Sequence, residues 1–374
     1  MNIAYITNIR IPTEKAHGIQ VMKMCEAFAS VGQNIELIVP QRINSIKTSA
    51  FDFYKVAVNF RITKIWCLDF LALSILKWVN FWLQTVSFLV SVKLFLQNKK
   101  FDIYYTRDFL LAIFLYKKNV KIIYEIHSMP ERGLWLHKRA WNRADHLVVI
   151  SDGLQKALLV YGIDSNKIIL ARDAVDFDIF QVAQSKEEAR KKLCLPIDKK
   201  IVVYTGHLYK WKGADALAQA AEFLPNIEIF LVGGTKQDVV NFKTNYKFSN
   251  LHIFGWQEHH LIPLWLKAAD ILVLPNSARE KIGAEYTSPL KLFEYMASGT
   301  PIIASSVSAL REVINEDCAI FFEPDNIFSL VQSIEFGINN YSKLQENAAR
   351  ALKRVSQFTW YHRAELILKH IKNV

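Results

Sequence analysis

The sequence is poor in the residues that build disulfide frameworks and dinucleotide-binding loops. Only 4 of its 374 residues are cysteine and 13 are glycine. Cys25, Cys67, Cys194 and Cys318 are widely spaced, with no Cys-x-x-Cys pair and no histidine cluster at zinc spacing, so we expect reduced core thiols in a cytosolic protein. The absence of a Gly-x-Gly-x-x-Gly run argues against a nicotinamide dinucleotide site.

Acidic residues are also in deficit. The chain carries 46 Lys and Arg against 35 Asp and Glu, a net charge of +11, which predicts an anionic partner. Nucleic acid, acidic lipid headgroups and a diphosphate substrate all satisfy this charge. Hydrophobic residues make up 51% of the sequence, so a chain of this length is expected to bury two or three cores. The first residues lack the basic start and apolar core of a secretory signal and open instead like a buried strand.

The most apolar stretch, residues 71–97, lacks an uninterrupted run of the ~20 apolar residues that a membrane span needs. Its polar residues recur at spacings of three and four, which predicts one helix with a narrow polar stripe made of Lys77, Asn80, Gln84, Ser87 and Ser91. Two interpretations remain open. The helix packs in the core, or it dips aromatic side chains into a membrane surface, namely Trp78, Phe81, Trp82 and Phe88.

The amino-terminal half alternates strands and helices. Residues 3–6, 19–30 and 35–39 predict a βαβ opening, and the loop containing Gly18 is either a ligand-binding loop or an ordinary turn. Two further strands end in polar residues at one expected sheet edge: Arg107 and Asp108, then Glu125 and His127. A basic and aromatic loop follows at 129–143, which could bind single-stranded nucleic acid, lipid headgroups or a lipid-linked diphosphate, or be a solvated helix.

The second half contains buried strands near 200–205, 227–232, 251–254 and 270–275, each followed by a glycine or proline turn, which predicts another parallel sheet. A polar stretch at 175–198 is expected to be the linker, with a capping box from Ser185 to Glu188. Asp176 and Asp178 form an Asp-x-Asp pair, but they sit in a turn rather than at a strand end, so we expect no metal there.

The most informative stretch is Ser288-Pro-Leu-Lys-Leu-Phe-Glu-Tyr-Met-Ala-Ser-Gly-Thr-Pro-Ile-Ile-Ala-Ser305. Ser288 is a suitable N-cap, Pro289 suits the first helical position, and Gly299 marks the helix end before a buried strand. The free N–H groups near Leu290, together with Lys291, would face a phosphate. A carboxylate at Glu294 suits sugar or ribose hydroxyls, because an ionised Glu only accepts hydrogen bonds.

This stretch resembles the retaining glycosyltransferases of family four, which have the GT-B fold. The resemblance implies an α/β protein with two Rossmann-like domains whose parallel sheets face each other across a cleft. It places an acceptor-binding domain at 1–175, joined by a C-terminal helix that crosses back at 358–374, and a nucleotide-sugar domain at 198–357.

The resemblance also implies roles for single residues. Glu294 would hold the donor's ribose and Lys212 its diphosphate, with His207 standing where the family has arginine. Trp256 would lie at the base, Gly18 near the donor phosphates and His127 close to the reacting sugar. The family's first glutamate would fall at Tyr286, with Glu285 one place earlier, so the identity of the sugar stays open. Ser288, Pro289, Leu290 and Lys291 complete the expected donor site, and Arg107, Asp108 and Glu125 the acceptor side.

The implied activity is transfer of a sugar, with retention of configuration, from a nucleotide diphosphate to an acceptor hydroxyl. The leaving phosphate would help to deprotonate the acceptor, and no metal or other cofactor is expected. Basic and aromatic residues favour a saccharide or lipid-linked acceptor in surface polysaccharide or glycolipid assembly, at the inner face of a membrane, with no nucleic acid. Two alternatives remain: a non-catalytic glycosyltransferase-like subunit, and a nucleic-acid-binding protein that uses the basic loop.

Overall fold

The computed structural model describes residues 1–69 and 77–372. The strands, in chain order, are β1 Asn2–Ile6, β2 Asn34–Gln41, β3 Arg61–Trp66, β4 Ile103–Thr106, β5 Lys121–Ile126, β6 His146–Val149, β7 Ile168–Leu170, β8 Lys200–Thr205, β9 Ile227–Val232, β10 Leu251–Phe254, β11 Ile271–Leu274, β12 Ile302–Ser305 and β13 Ile320–Phe322.

The helices, in chain order, are α1 Ala16–Ser30, α2 Ala50–Tyr54, α3 Lys77–Gln97, α4 Phe109–Phe114, α5 Leu134–Arg143, α6 Asp152–Val160, α7 Phe177–Phe180, α8 Lys186–Lys192, α9 Ala214–Ala220, α10 Lys236–Asn245, α11 Ile262–Ala268, α12 Leu290–Ser298, α13 Ser308–Arg311, α14 Ile327–Asn339, α15 Tyr341–Val355 and α16 Trp360–Lys372. Helices and parallel strands alternate, which is the expected α/β pattern.

The first unit contains residues 1–150 and 154–171 together with the C-terminal helix α16. Its seven strands form a sheet in the order β3-β2-β1-β4-β5-β6-β7, with every neighbouring pair parallel. The central strands are buried on both faces, since Ile3 to Ile6 are all at most 1% exposed. Helix α16 packs on α1, so the end of the described chain completes the first unit. The predicted return of the terminal helix to the first domain is therefore confirmed.

The second unit contains residues 151–153 and 172–359. Its six parallel strands have the order β10-β9-β8-β11-β12-β13. Both faces carry an apolar core: one contains Leu292, Tyr295 and Met296 from α12, and the other contains Leu217 and Ile334 from α9 and α14. The two units together are the two Rossmann-like domains predicted from the resemblance.

The predicted linker at 175–198 instead belongs to the second unit. Val175, Phe180, Ala189 and Leu195 are buried in its core, so these residues are fixed by packing. The Ser185 capping box is present and begins α8. Polar composition suggested a linker because α8 is highly charged, yet it buries Ala189 together with Arg190, whose guanidinium pairs with Asp270.

Three of the four cysteines are buried as expected, but Cys194 is exposed. It follows α8 with φ 54, a left-handed conformation that ends the helix and turns the side chain outward. In the basic stretch at 129–143, residues 134–143 form α5, which agrees with the helical alternative for this stretch.

Helix α3 buries polar side chains and exposes large apolar ones, which is the reverse of a surface helix in a soluble protein. Gln84 and Thr85 are buried, and Gln84 donates to Asn8 Oδ1 at 2.8 Å while Ser87 Oγ accepts from Leu68 N at 2.9 Å. Part of the apolar surface joins the core through Phe88, Val92 and Leu96. The rest is exposed, and its large side chains are Trp78, Phe81, Trp82, Leu83, Val86, Val90 and Leu94.

By length and composition alone, residues 78–97 could also cross a membrane, and 28% of this helix window is buried. Core packing is confirmed for the face that carries Phe88, so the prediction that Phe88 enters a membrane is wrong. Trp78, Phe81 and Trp82 are exposed, and their contact with a membrane surface stays a prediction. The predicted start of the helix at residue 71 lies outside the described residues, as does the side chain of Lys77.

Candidate functional site

In the first unit, a buried carboxylate at the end of β5 collects four polar side chains. Glu125 is 1% exposed. Its Oε1 accepts hydrogen bonds from Gln20 Nε2 at 2.6 Å and from Arg363 Nη2 at 2.8 Å, and it lies 2.7 Å from His127 Nε2. Tyr105 donates its hydroxyl to Oε2. The network therefore joins α1, β4, β5 and α16 at the carboxyl edge of the sheet.

This network fixes the charges and the tautomer of the histidine. Burial opposes ionisation of Glu125, but the charge of Arg363 and the contacts with His127 and Arg107 hold its pKa well below the usual range. Burial, and then the charge of Arg107, lower the pKa of His127 to about 4. A neutral imidazole beside an ionised carboxylate must donate through Nε2, because the carboxylate only accepts. Nδ1 of His127 is then a hydrogen-bond acceptor.

The other residues predicted on the acceptor side lie close to this group. Arg107 Nη1 donates to Gln20 Oε1 at 2.5 Å and so joins the network through α1. Asp108 is separate from it: its Oδ2 accepts from Asn8 N at 3.3 Å, and burial raises its pKa.

Gly18 does not lie in a loop but in the first turn of α1. A Cβ at this position would lie 2.2 Å from the hydroxyl oxygen of Tyr54 and 2.7 Å from a methyl group of Thr13. Close packing against these two side chains accounts for the glycine, and its predicted part in donor binding stays a prediction.

In the second unit, α12 begins at Leu290, one residue later than expected, with Pro289 at the N-cap. The prediction that Ser288 caps the helix is wrong, because Ser288 Oγ accepts instead from Asp173 N at 3.0 Å. The helix ends at Gly299, with φ 65, as the sequence indicates. The first turn thus has no side-chain cap, and the backbone N–H groups near Leu290 keep the polarity of a free helix start.

Lys291 lies in this first turn and is buried, with 6% of its surface exposed. Its Nζ makes no hydrogen bond within the described residues and lies 4.2 Å from the centroid of the Tyr204 ring. Burial, and then the charge of Lys212, lower the pKa of Lys291 well below its usual value. A buried ammonium group without an anionic partner is costly, which is typical of a site that receives an anion.

Lys212 is held beside this group by a turn that only glycine permits. Lys210–Lys212 form a 3₁₀ turn, and Gly213 follows with φ 70. A Cβ on Gly213 would lie 1.7 Å from the carbonyl oxygen of Pro275, at the end of β11. Burial lowers the pKa of Lys212 to about 8, although Glu294 opposes the shift. Two lysines with weakened charges therefore share one region with the start of α12.

Glu294 follows on α12, and its Oε1 lies 3.1 Å from Nε2 of His259. His207, in the same unit, stacks on Tyr209 with ring centroids 5.0 Å apart. Trp256 is 43% exposed, which excludes the interpretation of a core tryptophan. The site thus offers a carboxylate, two cations and exposed aromatic rings.

Glu285 and Tyr286 lie in a π-helical turn, Ile282–Tyr286, that precedes α12. A Cβ on Gly283 in this turn would lie 2.8 Å from the carbonyl oxygens of Trp211 and Ser277. The backbones of the turn and of the Lys212 loop are therefore in close contact, which brings Glu285 and Tyr286 into the neighbourhood of Lys212.

The described residues contain no group of three or more His, Cys, Asp or Glu side chains arranged to hold a metal ion. Asp176 is the N-cap of α7 and Asp178 lies in its first turn, so the Asp-x-Asp pair begins a short helix.

Two family models match the chain. The model described as Glycosyltransferase Family 4 matches residues 19–179, and the model described as Glycosyl transferases group 1 matches residues 185–355. The chain belongs to this glycosyltransferase family. D-inositol 3-phosphate glycosyltransferase from Mycolicibacterium smegmatis is 26% identical over 244 residues, which are 61% of this chain and 52% of the relative. The match thus spans about half the length of that curated relative.

Solved structures agree on the fold. Sucrose-phosphate synthase from Thermosynechococcus elongatus superposes with a TM-score of 0.80 at 20% identity, covering 100% of this chain and 98% of that one. The Anabaena protein HepE, solved in complex with UDP-glucose, gives a TM-score of 0.77 at 16% identity, with 100% of both chains covered. At these identities the likeness establishes the GT-B fold.

Several residues of the Glu125 network and of the region around Lys291 could not be recognised from neighbouring residues in the sequence. Gln20, Tyr105 and Arg363 meet Glu125 from 105, 20 and 238 residues away. His259 contacts Glu294 across 35 residues of sequence, and Tyr204 of strand β8 lies under Lys291 of helix α12. Only the fold brings these side chains together, although the paired histidines His259 and His260 could have been noted as candidates.

Proposed function

We propose that this protein is a retaining glycosyltransferase that moves a sugar from a nucleotide-diphosphate donor to an acceptor hydroxyl. The second unit would hold the donor, and the first unit would supply the groups on the acceptor side. A saccharide or lipid-linked saccharide acceptor, in surface polysaccharide or glycolipid assembly, fits the positive charge of the chain.

The observation that carries the proposal is the buried ammonium of Lys291 beside Lys212 at the start of α12. A diphosphate would restore both lysine charges and accept from the free N–H groups of the helix start. Glu294 would accept from ribose hydroxyls, with His259 orienting the carboxylate. That a neighbour of the same fold was solved with UDP-glucose supports a nucleotide sugar as the ligand.

The same lysines would stabilise the reaction. As the bond between the sugar and the diphosphate breaks, negative charge grows on the leaving phosphate, and preorganised cations lower the energy of that state. We propose that this stabilisation replaces a divalent metal. In the first unit, Nδ1 of His127 can accept a hydrogen bond and is therefore suited to orient the hydroxyl of the acceptor substrate.

Contact with an anionic membrane is part of the proposal, at the inner face and without nucleic acid as a partner. The exposed apolar face of α3 supports it, since Trp78 alone is 69% exposed. Cations border the end of that helix: Lys117 Nζ donates to the carbonyls of Leu96, Gln97 and Lys99, and Arg143 lies over the ring of Tyr116. An apolar face with basic neighbours is typical of helices that lie in a membrane interface.

Calorimetry with a panel of nucleoside diphosphates and their sugars, without metal, tests the donor site. We expect micromolar binding of one nucleotide, weakened at least tenfold in Lys212→Ala and Glu294→Ala but unchanged in Lys236→Ala, an exposed lysine on α10. If the panel does not bind, the donor site is wrong and the alternative of a non-catalytic subunit gains. The alternative of a non-catalytic subunit arises because His207 and Tyr286 stand where the family has arginine and glutamate. Hydrolysis of the bound donor in the absence of acceptor would speak against it.

A further inference from the structure

A second cationic cleft lies in the first unit, apart from the Glu125 network. It has a volume of about 800 Å³ and is lined by residues from three segments: the β1–α1 connection, the stretch from Arg42 to Phe51, and strand β3. Arg42 directly follows β2, so the cleft opens beyond the carboxyl ends of two neighbouring parallel strands. Open α/β sheets bind ligands on this carboxyl side, and the topological switch point itself lies at β1 and β4, beside the cleft.

The charged residues that line the cleft are basic. Arg42, Lys47 and Lys64 line it, and none of its lining residues is acidic. Arg42 is partly neutralised by Asp69, whose Oδ1 lies 3.5 Å from Nε. Among the described residues, neither Lys47 nor Lys64 has an ion-pair partner, and both side chains are exposed. Two cations of the cleft are thus available to an anionic group.

The remaining lining contains both polar and apolar side chains. Asn44, Thr48 and Ser49 contribute amide and hydroxyl groups, whereas Ile11, Phe51 and Ile62 contribute apolar surface. Most ligand sites have volumes of ≈ 300–1,000 Å³, so the cleft is the size of a small organic ligand and many times larger than a phosphate ion. The cleft therefore has room for an organic body beside an anionic group.

Hydrogen bonds hold the walls of the cleft in place. Asn44 Nδ2 donates to the carbonyl of Pro12 at 2.8 Å, and Ile43 N donates to Asp69 Oδ2 at 2.8 Å. The Tyr54 hydroxyl of α2 accepts from Thr13 N and donates to Thr13 O, each at 2.7 Å. The segment after β2 is therefore tied to the β1–α1 connection before a ligand arrives, which lowers the entropic cost of binding.

We propose that this cleft binds the anionic group of the acceptor, a phosphate or a carboxylate carried on a saccharide or on a lipid headgroup. Lys47 and Lys64 bind the anionic group of the ligand, and the apolar lining residues pack against its organic body. The identification of the ligand as the acceptor rests on the proposed function, whereas binding of the anion does not.

The test compares wild type with Lys47→Ala/Lys64→Ala and with a control of equal charge, Lys236→Ala/Lys243→Ala, whose lysines are exposed on α10. Binding of glucose, glucose 6-phosphate and glucuronate is measured by calorimetry, and binding to phosphatidylglycerol and phosphatidylcholine vesicles by co-sedimentation. We expect the charged sugars to bind more tightly than glucose, and the cleft variant to weaken them at least tenfold while the control does not. If only phosphatidylglycerol binding falls tenfold in the cleft variant, the anion is a lipid headgroup and the proposal also holds.

The proposal is overturned if the cleft variant matches the control with every ligand, the phosphatidylglycerol vesicles included. UDP binding is measured in the same three proteins to keep the two proposals apart. Loss of the anionic ligand with normal UDP binding concerns the cleft alone. Absence of UDP binding in wild type, with the charged sugars still bound, removes the donor site and leaves the cleft in place.

Discussion

Lys291 holds its amino group in the interior of the second unit. Since burial lowers its pKa, the unfolded chain binds this proton more readily, and the lysine destabilises the fold at neutral pH. Lys291→Met should therefore raise the free energy of unfolding by about 1 kcal/mol or more, because an apolar chain of similar length no longer buries a charge. It should also weaken nucleotide binding at least tenfold.

Thermal denaturation and calorimetry of Lys291→Met check this prediction, with Lys236→Met as the exposed control. A variant that is more stable and yet binds nucleotide like the wild type would mean that the buried lysine has no part in the donor site.

Lys212 makes the affinity for a diphosphate depend on pH. Its pKa of about 8 in the folded protein is below the usual value of 10.5, so it loses its charge as the pH rises through about 8. Binding of an anion favours the charged form, so titration of Lys212 should lower the nucleotide affinity as the pH rises through about 8, with proton uptake on binding. Calorimetry at pH 8.5, in two buffers of different ionisation enthalpy, measures that uptake.

Lys212→Arg should reduce the proton uptake and make the decline shallower, because arginine stays charged over this range. Equal proton uptake in both proteins would assign the titration to a group other than Lys212.

At the scale of elements, α3 presents an apolar face to solvent while its glutamine and threonine are buried. Trp78→Ser/Trp82→Ser should weaken partitioning into phosphatidylglycerol vesicles about tenfold, which corresponds to about 1.4 kcal/mol. The melting temperature should change little, since both side chains are exposed.

Co-sedimentation with vesicles measures the partitioning. Phe223→Ser/Phe328→Ser, which removes two exposed aromatic residues from the second unit, is the matched control. Equal partitioning of the two variants would show that α3 does not enter the interface.

The elements that the sequence predicted well are those with local signals. The start of α8 at the Ser185 capping box and the end of α12 at Gly299 depend on residues within one helical turn. Ser288 was misread because its hydroxyl bonds to Asp173, 115 residues away, rather than to its own helix. Lys291 and Glu294 are predicted from the helix start at residues 288–290 and Lys212 from the family resemblance, but the burial of Lys291 and the contact of Glu294 with His259 follow from packing.

At the scale of the whole molecule, the first unit depends on a helix that follows the second unit in the chain. Truncation after Thr359 removes α16 and leaves Glu125 buried without Arg363, which should destabilise the first unit by about 3–5 kcal/mol. The second unit keeps all its strands and should retain its stability and its nucleotide binding.

Hydrogen exchange resolves the two units separately and measures both effects. Arg363→Lys keeps the helix and the charge, so it should be destabilised less than the truncated protein. Loss of exchange protection mainly in the second unit would contradict this view of α16.

The position of α16 also has a consequence for synthesis. A ribosome releases residues 1–171 first, yet this unit lacks its closing helix and the partner of its buried carboxylate until residues 360–372 emerge. The second unit needs no residues after 359 and can fold as soon as residue 359 has left the exit tunnel. The second unit should therefore fold before the first, the reverse of the usual N-terminal-first order. Chaperones would have to bind residues 1–171 until α16 has been synthesised.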